Sequence, residues 1–474
     1  MISSEQRVFP KLKKRSAIHV VGVTGVEGAA VASFLLAEGF KNLVGHAMCE
    51  GKDFERELLS HHKLGGADRK RELLDCVRGW GIERRLGDDY LRGIEEADVI
   101  FAPQSWELHQ QANAPLFVLR PKLLNIMHLY LDLAPCATIG VTGSDGKTTT
   151  THLIAHLLNS AGRKAWLSGN YREGEQILSR IRELDPEGFL VLEVSNRHLN
   201  FGLAKHPDIA VVTNVTQNHM TEYENFVEYC DVKERLLGSE SVAVLNADNA
   251  CTRHMGDHCK ERLLFSRYPD AKAVGAFVSK MEIHDVGGFI CDVSDICLPG
   301  EHNLENALAA ITVVRSLGLS GEEISSGLKT FCAVPERLEI VAEINGRTIV
   351  NDLAATSMES ARRAVEAYAG KPFVLVVGGE TKGVDYEPFA RTVQRVGAVI
   401  VGVQSEVTDV LKALGIPIET HSTVREAVKV AFEKTPRGGT LLLSPAGAFF
   451  QSRLMVKEGL SVAELISSLQ SHAP

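Results

Sequence analysis

The chain has 474 residues, more than one hydrophobic core usually serves, and at about 150 residues per domain this length predicts three domains. Hydrophobic residues make up 45% and charged residues 23%, which excludes an extended disordered chain. The net charge of −9 gives no electrostatic attraction to nucleic acid or to an anionic membrane, so neither is expected as a partner.

Cysteine usage and the N-terminal segment predict the compartment. Nine cysteines occur without a C-x-x-C pair, which indicates reduced thiols and not a disulfide framework. The first residues, MISSEQRVFPKLKKRS, lack the apolar region of a signal peptide, and no 18-residue apolar run follows. We therefore expect a cytoplasmic protein that does not span a membrane.

Short β-branched segments alternate with longer amphipathic ones, which predicts parallel sheets covered by helices. The first set begins with AIHVVGV, VEGAAVASFLLAEGF and KNLVGHAM (strand, helix, strand) and continues through ADVIFAP and LFVLRP. A second set contains ATIGVTG, FLVLEVS, DIAVVTNV and SVAVLNAD, and a third contains TIVNDL, PFVLVVGG, AVIVGV and TLLLSPA. These sets predict three α/β domains, over residues 1–127, 128–334 and 335–474.

The most specific local signal is TIGVTGSDGKTTTTHLIAHLL, where a strand pattern runs through a glycine-rich turn into a helix pattern. Gly143 and Gly146 let the backbone wrap closely around a phosphate, which the helix N-terminus also favours. Lys147 would reach the outer phosphates, and the Thr148 hydroxyl would bind Mg²⁺. Val141 stands where a strict phosphate-loop motif has its first glycine. An ordinary strand–helix turn is the alternative, but the flanking patterns favour an ATP site.

Further strand and helix patterns carry residues that suit a metal site. VLEVS places Glu193 at the end of a strand, and IAVVTNV leads into TQNHM with His219 at a similar level. In parallel sheets, ligands bind at the carboxyl ends of the strands. Mg²⁺ prefers oxygen ligands such as the carboxylate of Glu193. Taken alone, Glu193 is equally a helix-capping carboxylate and His219 a core histidine. Lys233 lies in the helical pattern ENFVEYCDVKERLL, where most lysines are simply solvated.

Together these segments resemble the Mur ligase family, whose members join amino acids to peptidoglycan precursors. TGSDGKTT resembles the family's shortened phosphate loop, NVTQNHM its metal-binding histidine segment, and GEHNLENALAAI its segment with an adenine-binding asparagine. The resemblance covers roughly residues 138–450. It implies ATP and two Mg²⁺ ions as cofactors. The implied fold has a Rossmann-like N-terminal domain, a central P-loop ATPase-like domain with a parallel sheet, and a Rossmann-like C-terminal domain.

The resemblance also implies roles for individual residues. Lys233 corresponds to the family's lysine that reacts with CO₂ to give a carbamate, an anionic metal ligand. The implied ATP-binding residues are Gly143, Ser144, Asp145, Gly146, Lys147, Thr148, Thr149, Asn306, Arg337 and Asp352. The implied metal ligands are Thr148, Glu193, His219 and Lys233. The implied catalytic residues are Lys147, Glu193, His219 and Lys233.

Several segments are most similar to the family members that add D-glutamate to UDP-N-acetylmuramoyl-L-alanine. SGNYREG and VLEVSNRHL place Asn170 and Ser195 as substrate contacts, and VVGGETKGVDY places Lys382 to hold the incoming carboxylate. Thr356 and Ser444 complete the implied substrate-binding set. The resemblance therefore implies a cytoplasmic ligase, expected to be a monomer, that binds this UDP precursor, D-glutamate and ATP.

The acceptor region departs from the family pattern. The family's D-S-K-A-T-N is D-L-A-A-T-S here, so Ala354 replaces the lysine, and Phe449 stands at the position of the glutamate-binding serine. The glutamate side chain is then expected on backbone N–H groups of residues 444–450 or on Arg453. A solvated Arg453 is the alternative.

The implied chemistry has two steps. ATP phosphorylates the precursor's carboxylate, and the amino acid's amine then attacks the acyl phosphate and expels phosphate. Mg²⁺, Lys147 and amides of the phosphate turn would neutralise the charge crowding between the two anions.

Other functions stay open at this stage. One is a ligase of the same fold for L-glutamate, another amino acid or a folate, as in folylpolyglutamate synthases. Another is a catalytically silent ATP-binding scaffold. In the first set, Gly22, Gly25 and Gly28 either hold a UDP pyrophosphate or form a structural turn. A nicotinamide-dependent dehydrogenase rests on these glycines alone and is remote.

Overall fold

A computed structural model describes residues 9, 12–62, 67–106, 112–170, 176–217, 220, 222–269, 274–331, 333–381 and 383–471. The chain forms two compact units, one of residues 1–292 with 306–327 and one of residues 293–305 with 328–474. In the described residues the first unit contains three sheets and the second contains one. None of the helices in these ranges is long and apolar enough to cross a membrane.

The first sheet has strands β1 (Ile18–Val21), β2 (Leu43–Ala47), β3 (Glu83–Leu86), β4 (Val99–Phe101) and β5 (Leu123–Leu124). The accompanying helices are α1 (Val26–Ala37), α2 (Phe54–His61), α3 (Ala67–Arg78), α4 (Ala114–Val118) and α5 (Ile126–Leu133). All strand pairs are parallel, in the order β3-β2-β1-β4-β5. The buried central strands and the surrounding helices confirm the predicted α/β layering.

Two local features of the first sheet bear on the sequence predictions. LFVLRP is not a strand, because its first three residues lie in the short helix α4, which has Pro115 in its first turn, and the paired residues follow in β5. In the first turn of α1, a Cβ on Gly28 would lie 2.2 Å from the Gly22 carbonyl oxygen. Packing therefore requires Gly28, which supports the structural alternative for this residue.

The second sheet has strands β6 (Ala137–Thr142), β7 (Ala165–Gly169), β8 (Phe189–Glu193), β9 (Ile209–Val212), β10 (Val242–Asn246) and β11 (Glu261–Phe265). Its helices are α6 (Lys147–Ser160), α7 (Asn196–Leu199) and α8 (Phe226–Glu234). The strands are parallel in the order β11-β10-β9-β6-β8-β7. Because β6 lies between β9 and β8, the segments that leave the carboxyl ends of these three strands come together.

A small antiparallel sheet follows, with β12 (Phe277–Ser279), β13 (Glu282–Asp285) and β14 (Gly288–Asp292). The strand patterns of the second set did not include it. Two helices come after it, α9 (Glu301–Ser316) and α10 (Gly321–Thr330).

The second unit has strands β15 (Glu339–Ile344), β16 (Arg347–Asn351), β17 (Phe373–Gly378), β18 (Val399–Val403), β19 (Ile418–His421) and β20 (Thr440–Ala446). Its helices are α11 (Met358–Ala367), α12 (Glu387–Val396), α13 (Glu406–Ala413), α14 (Val424–Lys434) and α15 (Val462–Ser471). The strand order is β15-β16-β20-β17-β18-β19, and every pair is parallel except β15 with β16.

The antiparallel strand β15 was not among the strand patterns of the third set, the first of which is TIVNDL. Asn345 and Gly346 join β15 to β16, with φ of +52° and +70°. An Asn-Gly pair with two positive φ angles is typical of a tight hairpin turn. The α/β fold class is thus confirmed, with one antiparallel edge strand added to the last sheet.

Candidate active site

The predicted phosphate turn has the expected strand–turn–helix form, because β6 ends at Thr142 and α6 begins at Lys147. Gly143 and Gly146 have φ of +152° and +82°. A Cβ on Gly146 would lie 2.0 Å from Oδ1 of Asn306. The turn is therefore closed tightly by its neighbours, and Asn306 lies directly beside it.

The segment after β9 braces the turn. Asn214 accepts from the Ser144 N–H with its carbonyl oxygen (2.9 Å) and from the Asp145 N–H with Oδ1 (3.0 Å). The Thr213 hydroxyl donates to the Asp145 carbonyl at 2.6 Å. The Ser144 hydroxyl donates to the Thr216 carbonyl (3.1 Å) and accepts from its N–H (3.0 Å). This bracing was not predicted; the polar run TNVT directly after a buried strand was the signal for it.

Lys147 lies over the turn. Its Nζ donates to the carbonyl oxygens of Gly143 at 2.8 Å and Ser144 at 2.9 Å. Thr148, half-buried, and Thr149, buried, follow in the first turn of α6. The ammonium group is thus placed where a phosphate cradled by the turn would meet it.

Lys233 is fully buried in α8, which excludes the solvated alternative. Its Nζ donates to the Gly143 carbonyl at 3.0 Å and to Oγ1 of Thr142 at 3.3 Å. Burial, followed by the positive charge of Lys147, lowers the pKa of Lys233 well below its ordinary value, while the charges of nearby carboxylates oppose this shift. The neutral amine is therefore favoured, and a neutral amine has the lone pair needed to attack CO₂.

Glu193 ends β8 and is only 4% exposed. Its Oε1 accepts from Nδ2 of Asn170 at 2.7 Å, and its carbonyl accepts from the Asn170 N–H at 2.8 Å. The N-cap of α7 is Ser195, whose hydroxyl accepts from the His198 N–H at 3.2 Å. Helix capping is thus done by Ser195, and Glu193 presents an ionisable carboxylate beside the phosphate-turn strand.

The residues implied as metal ligands are brought together only in part. Thr148 and Glu193 follow the neighbouring strands β6 and β8, and Lys233 contacts the turn between β6 and α6. Hydroxyl and carboxylate oxygens are ligands that Mg²⁺ prefers. His219 lies outside the described residues, and within those residues no three His, Cys, Asp or Glu side chains form a cluster that could hold a metal.

In the second unit, three predicted residues lie close together. The Ser444 hydroxyl donates to Oδ2 of Asp352 at 2.6 Å, and the Leu338 N–H donates to Oδ1 at 3.2 Å. Burial raises the pKa of Asp352 to about 7, although both hydrogen bonds and the positive charge of Arg337 oppose the rise. The contact between Ser444 and Asp352 was not predicted.

The altered acceptor region lies partly at the surface. Thr356 is exposed just before α11, and Lys382 is outside the described residues. Phe449 is 45% exposed, and Cζ of Arg453 lies 4.1 Å from its ring centroid. Arg453 also forms an ion pair with Glu380, and its side chain is 60% exposed. This arrangement agrees with the solvated alternative for Arg453.

Comparison with known proteins identifies the family. The model of the Mur ligase middle domain matches residues 141–314, and that of the Mur ligase glutamate ligase domain matches residues 336–447. A UDP-N-acetylmuramoylalanine–D-glutamate ligase of Clostridium novyi (strain NT) is 32% identical over 383 residues, which is 78% of this chain and 82% of the relative. The chain belongs to the Mur ligase family. A ligase of the same name from Acetivibrio thermocellus is 30% identical over 417 residues, covering 84% of this chain and 88% of the relative.

Solved structures of Mur ligases share the fold. The UDP-N-acetylmuramate–alanine ligase MurC of Thermotoga maritima has a TM-score of 0.59 at 20% identity and covers 94% of this chain and 99% of its own. MurF of Acinetobacter baumannii has a TM-score of 0.57 at 16% identity, and the match covers 96% of this chain and 93% of the MurF chain. As a Mur ligase, the protein is an ATP-dependent enzyme of peptidoglycan precursor synthesis that forms an amide bond, with ATP and Mg²⁺ as cofactors and small molecules as substrates.

Proposed function

We propose that the protein adds D-glutamate to UDP-N-acetylmuramoyl-L-alanine in the cytoplasm, through an acyl phosphate. Relatives with this named activity match most of the chain at 30–35% identity, which supports the choice of amino acid and precursor. The observation that carries the chemistry is the fully buried Lys233 side chain, whose Nζ lies 3.0 Å from the carbonyl oxygen of Gly143 in the glycine-rich turn.

The nucleotide would be held by the turn and by two groups beyond it. Backbone N–H groups at the N-terminus of α6 favour the phosphate charge, and Lys147 neutralises part of it. Asn306 lies beside Gly146 and is proposed to bind adenine. Arg337 and Asp352 of the second unit complete the proposed set.

Lys233 is proposed to carry a carbamate. Its neutral amine attacks the carbon of CO₂, a C–N bond forms as one C=O π bond opens onto oxygen, and the nitrogen loses a proton, so that the side chain ends in an anionic carbamate. Two Mg²⁺ ions, which would screen the charge of the phosphates, are proposed to bind Thr148, Glu193, His219 and this carbamate. The hard oxygen donors at Thr148 and Glu193 fit that ion.

In the reaction, an oxygen of the precursor's carboxylate bonds to the γ-phosphorus of ATP as the bond to ADP breaks. The amine of D-glutamate then attacks the acyl carbon, phosphate leaves with its bonding electrons, and the amine loses a proton. Lys147 is placed to offset the negative charge of the transferred group. No side chain of the protein has to act as a nucleophile.

The remaining roles concern binding and organisation. We assign Asn170 and Ser195 to the precursor side, and Thr356, Lys382 and Ser444 to the amino acid. The proposed domains are residues 1–127 for the UDP precursor, 128–334 for ATP and 335–474 for the amino acid. The protein is proposed to act as a monomer.

A phosphate-release screen tests the function. The protein is incubated with ATP, Mg²⁺ and UDP-N-acetylmuramoyl-L-alanine, and with D-glutamate, L-glutamate or an apolar amino acid in turn. We expect phosphate and ADP only when D-glutamate is present, together with the new amide in the product. Turnover with L-glutamate or an apolar amino acid in place of D-glutamate would overturn the assignment, and no ATP turnover with any amino acid would support a silent scaffold.

A further inference from the structure

A closed ring of hydrogen bonds joins α1, the segment after β4 and the N-terminus of α7. Glu27 accepts from Nε2 of His198 at 3.0 Å with Oε1 and from the Gln104 N–H at 3.1 Å with Oε2. The Ser195 hydroxyl donates to Oε1 of Gln104 at 2.5 Å and accepts from the His198 N–H. Nδ1 of His198 accepts from the Ser195 N–H at 3.3 Å. Every donor in the ring faces an acceptor.

In this ring the Gln104 amide has one orientation, in which its oxygen accepts from the Ser195 hydroxyl. Its oxygen is taken by Ser195, so its NH₂ group faces away from the ring and donates to Oδ1 of Asn170. Asn170 is thereby also oriented, because its oxygen is held by Gln104. Its Nδ2 then donates to Oε1 of Glu193 at 2.7 Å.

The reverse orientation of Asn170 is unfavourable on both sides. A flipped amide would set its oxygen against the Glu193 carboxylate, two acceptors with no proton between them, and its NH₂ against the NH₂ of Gln104. Glu193 is 4% exposed, so water does not readily replace the lost bond. Gln104 thus helps to hold Asn170 with its NH₂ group toward Glu193.

We propose that Gln104 is a positioning residue for Glu193, acting through the orientation of the Asn170 amide. The inference rests on the proposed function, in which the Glu193 carboxylate binds Mg²⁺. Groups that hydrogen-bond to a metal-ligating carboxylate hold it in place, and their loss typically weakens metal binding by about 10–100-fold. A residue that follows a strand of the first sheet thus helps to set the metal affinity of a strand end in the second sheet.

The test measures binding of Mn²⁺, as a paramagnetic probe for Mg²⁺, to the full chain with ADP present. Gln104→Glu places a second acceptor opposite Asn170, so that in either orientation the amide oxygen faces a carboxylate and the bond to Glu193 is weakened. We expect roughly tenfold or greater weakening of Mn²⁺ binding. Gln104→Ala removes the hydrogen bond to Asn170 without placing an acceptor opposite it, and is expected to weaken Mn²⁺ binding less. Ser105→Ala in the same segment is the matched control and is expected to bind Mn²⁺ as the unmutated protein does.

A double-mutant cycle shows whether Gln104 acts through Asn170. If it does, Gln104→Glu added to Asn170→Ala causes no further loss of Mn²⁺ binding. Equal Mn²⁺ binding by Gln104→Glu and the unmutated protein, at matched thermal stability, would overturn the inference, and so would additive losses in the cycle. If Gln104→Glu does not fold, Gln104→Ala alone and combined with Asn170→Ala tests in the same way whether Gln104 acts through Asn170. An unmutated protein that binds no Mn²⁺ with ADP would instead contradict the proposed metal site.

Discussion

Gly146→Ala is expected to destabilise the first unit for two separable reasons. The residue has φ of +82°, which costs a non-glycine residue about 1–2 kcal/mol. The new methyl group would also lie 2.0 Å from Oδ1 and 3.0 Å from Cγ of Asn306, which is 4% exposed and has little room to move. Overpacking of this kind costs about 1–3 kcal/mol more. The free energy of unfolding of the first unit should therefore fall by about 2–5 kcal/mol.

Gly162→Ala is the matched control. Gly162 has φ of +74°, but a Cβ there would meet nothing within 4 Å. Its replacement should cost only the backbone contribution and leave ADP binding unchanged, whereas Gly146→Ala should weaken ADP binding. Denaturant unfolding and ADP titration measure both quantities. Adding Asn306→Ala to Gly146→Ala should recover the part of the stability that was lost to overpacking, but neither the backbone part nor the ADP affinity. Equal unfolding midpoints and equal ADP affinity for Gly146→Ala and Gly162→Ala would refute the reasoning.

Three other outcomes are expected. Lys233→Ala should lose nearly all phosphate release and be partly rescued by acetate or formate, which would supply the missing oxygen ligand; full activity without these anions would contradict the carbamate. Burial raises the pKa of Asp352 from the ordinary value of 3.8 to about 7 in the folded protein. The contribution of this group to the free energy of unfolding is therefore fully present below pH 3.8, and it is lost as the pH rises through about 7. Asp352→Asn should remove that slope from the pH dependence of unfolding, and an unchanged slope would disprove the assignment. Arg453→Ala should leave the KM for glutamate unchanged, since this side chain is 60% exposed and paired with Glu380; a tenfold increase would show an inward contact instead.

The strand–turn–helix around Lys147 was predictable because its signals are local: β-branched residues, then glycines, then helical periodicity. The position of Glu193 at a strand end was predictable for the same reason. The antiparallel strand β15 was missed although Asn345 and Gly346 are a strong hairpin signal, because the alternation of strands and helices suggested parallel pairing only.

Contacts between distant segments could not be predicted in the same way. The bracing of Asp145 by Asn214 depends on β6 and β9 being neighbours, which is a property of sheet order and not of either segment. The contact of Gln104 with Asn170 spans 66 residues and joins two sheets. Burial of Lys233 likewise follows from how α8 packs, since a lysine in a helical pattern is usually solvated.

The position of Gly162 has a practical consequence for experiments on this enzyme. It follows α6, a helix of 14 residues and therefore about 21 Å long, so it lies at the far end from the phosphate turn. With open space around it, this turn offers an attachment point for a fluorescent dye or an affinity tag that should not touch nucleotide or substrate. A tag placed there would hold the protein on a surface for nucleotide-binding measurements without altering the groups of the phosphate turn.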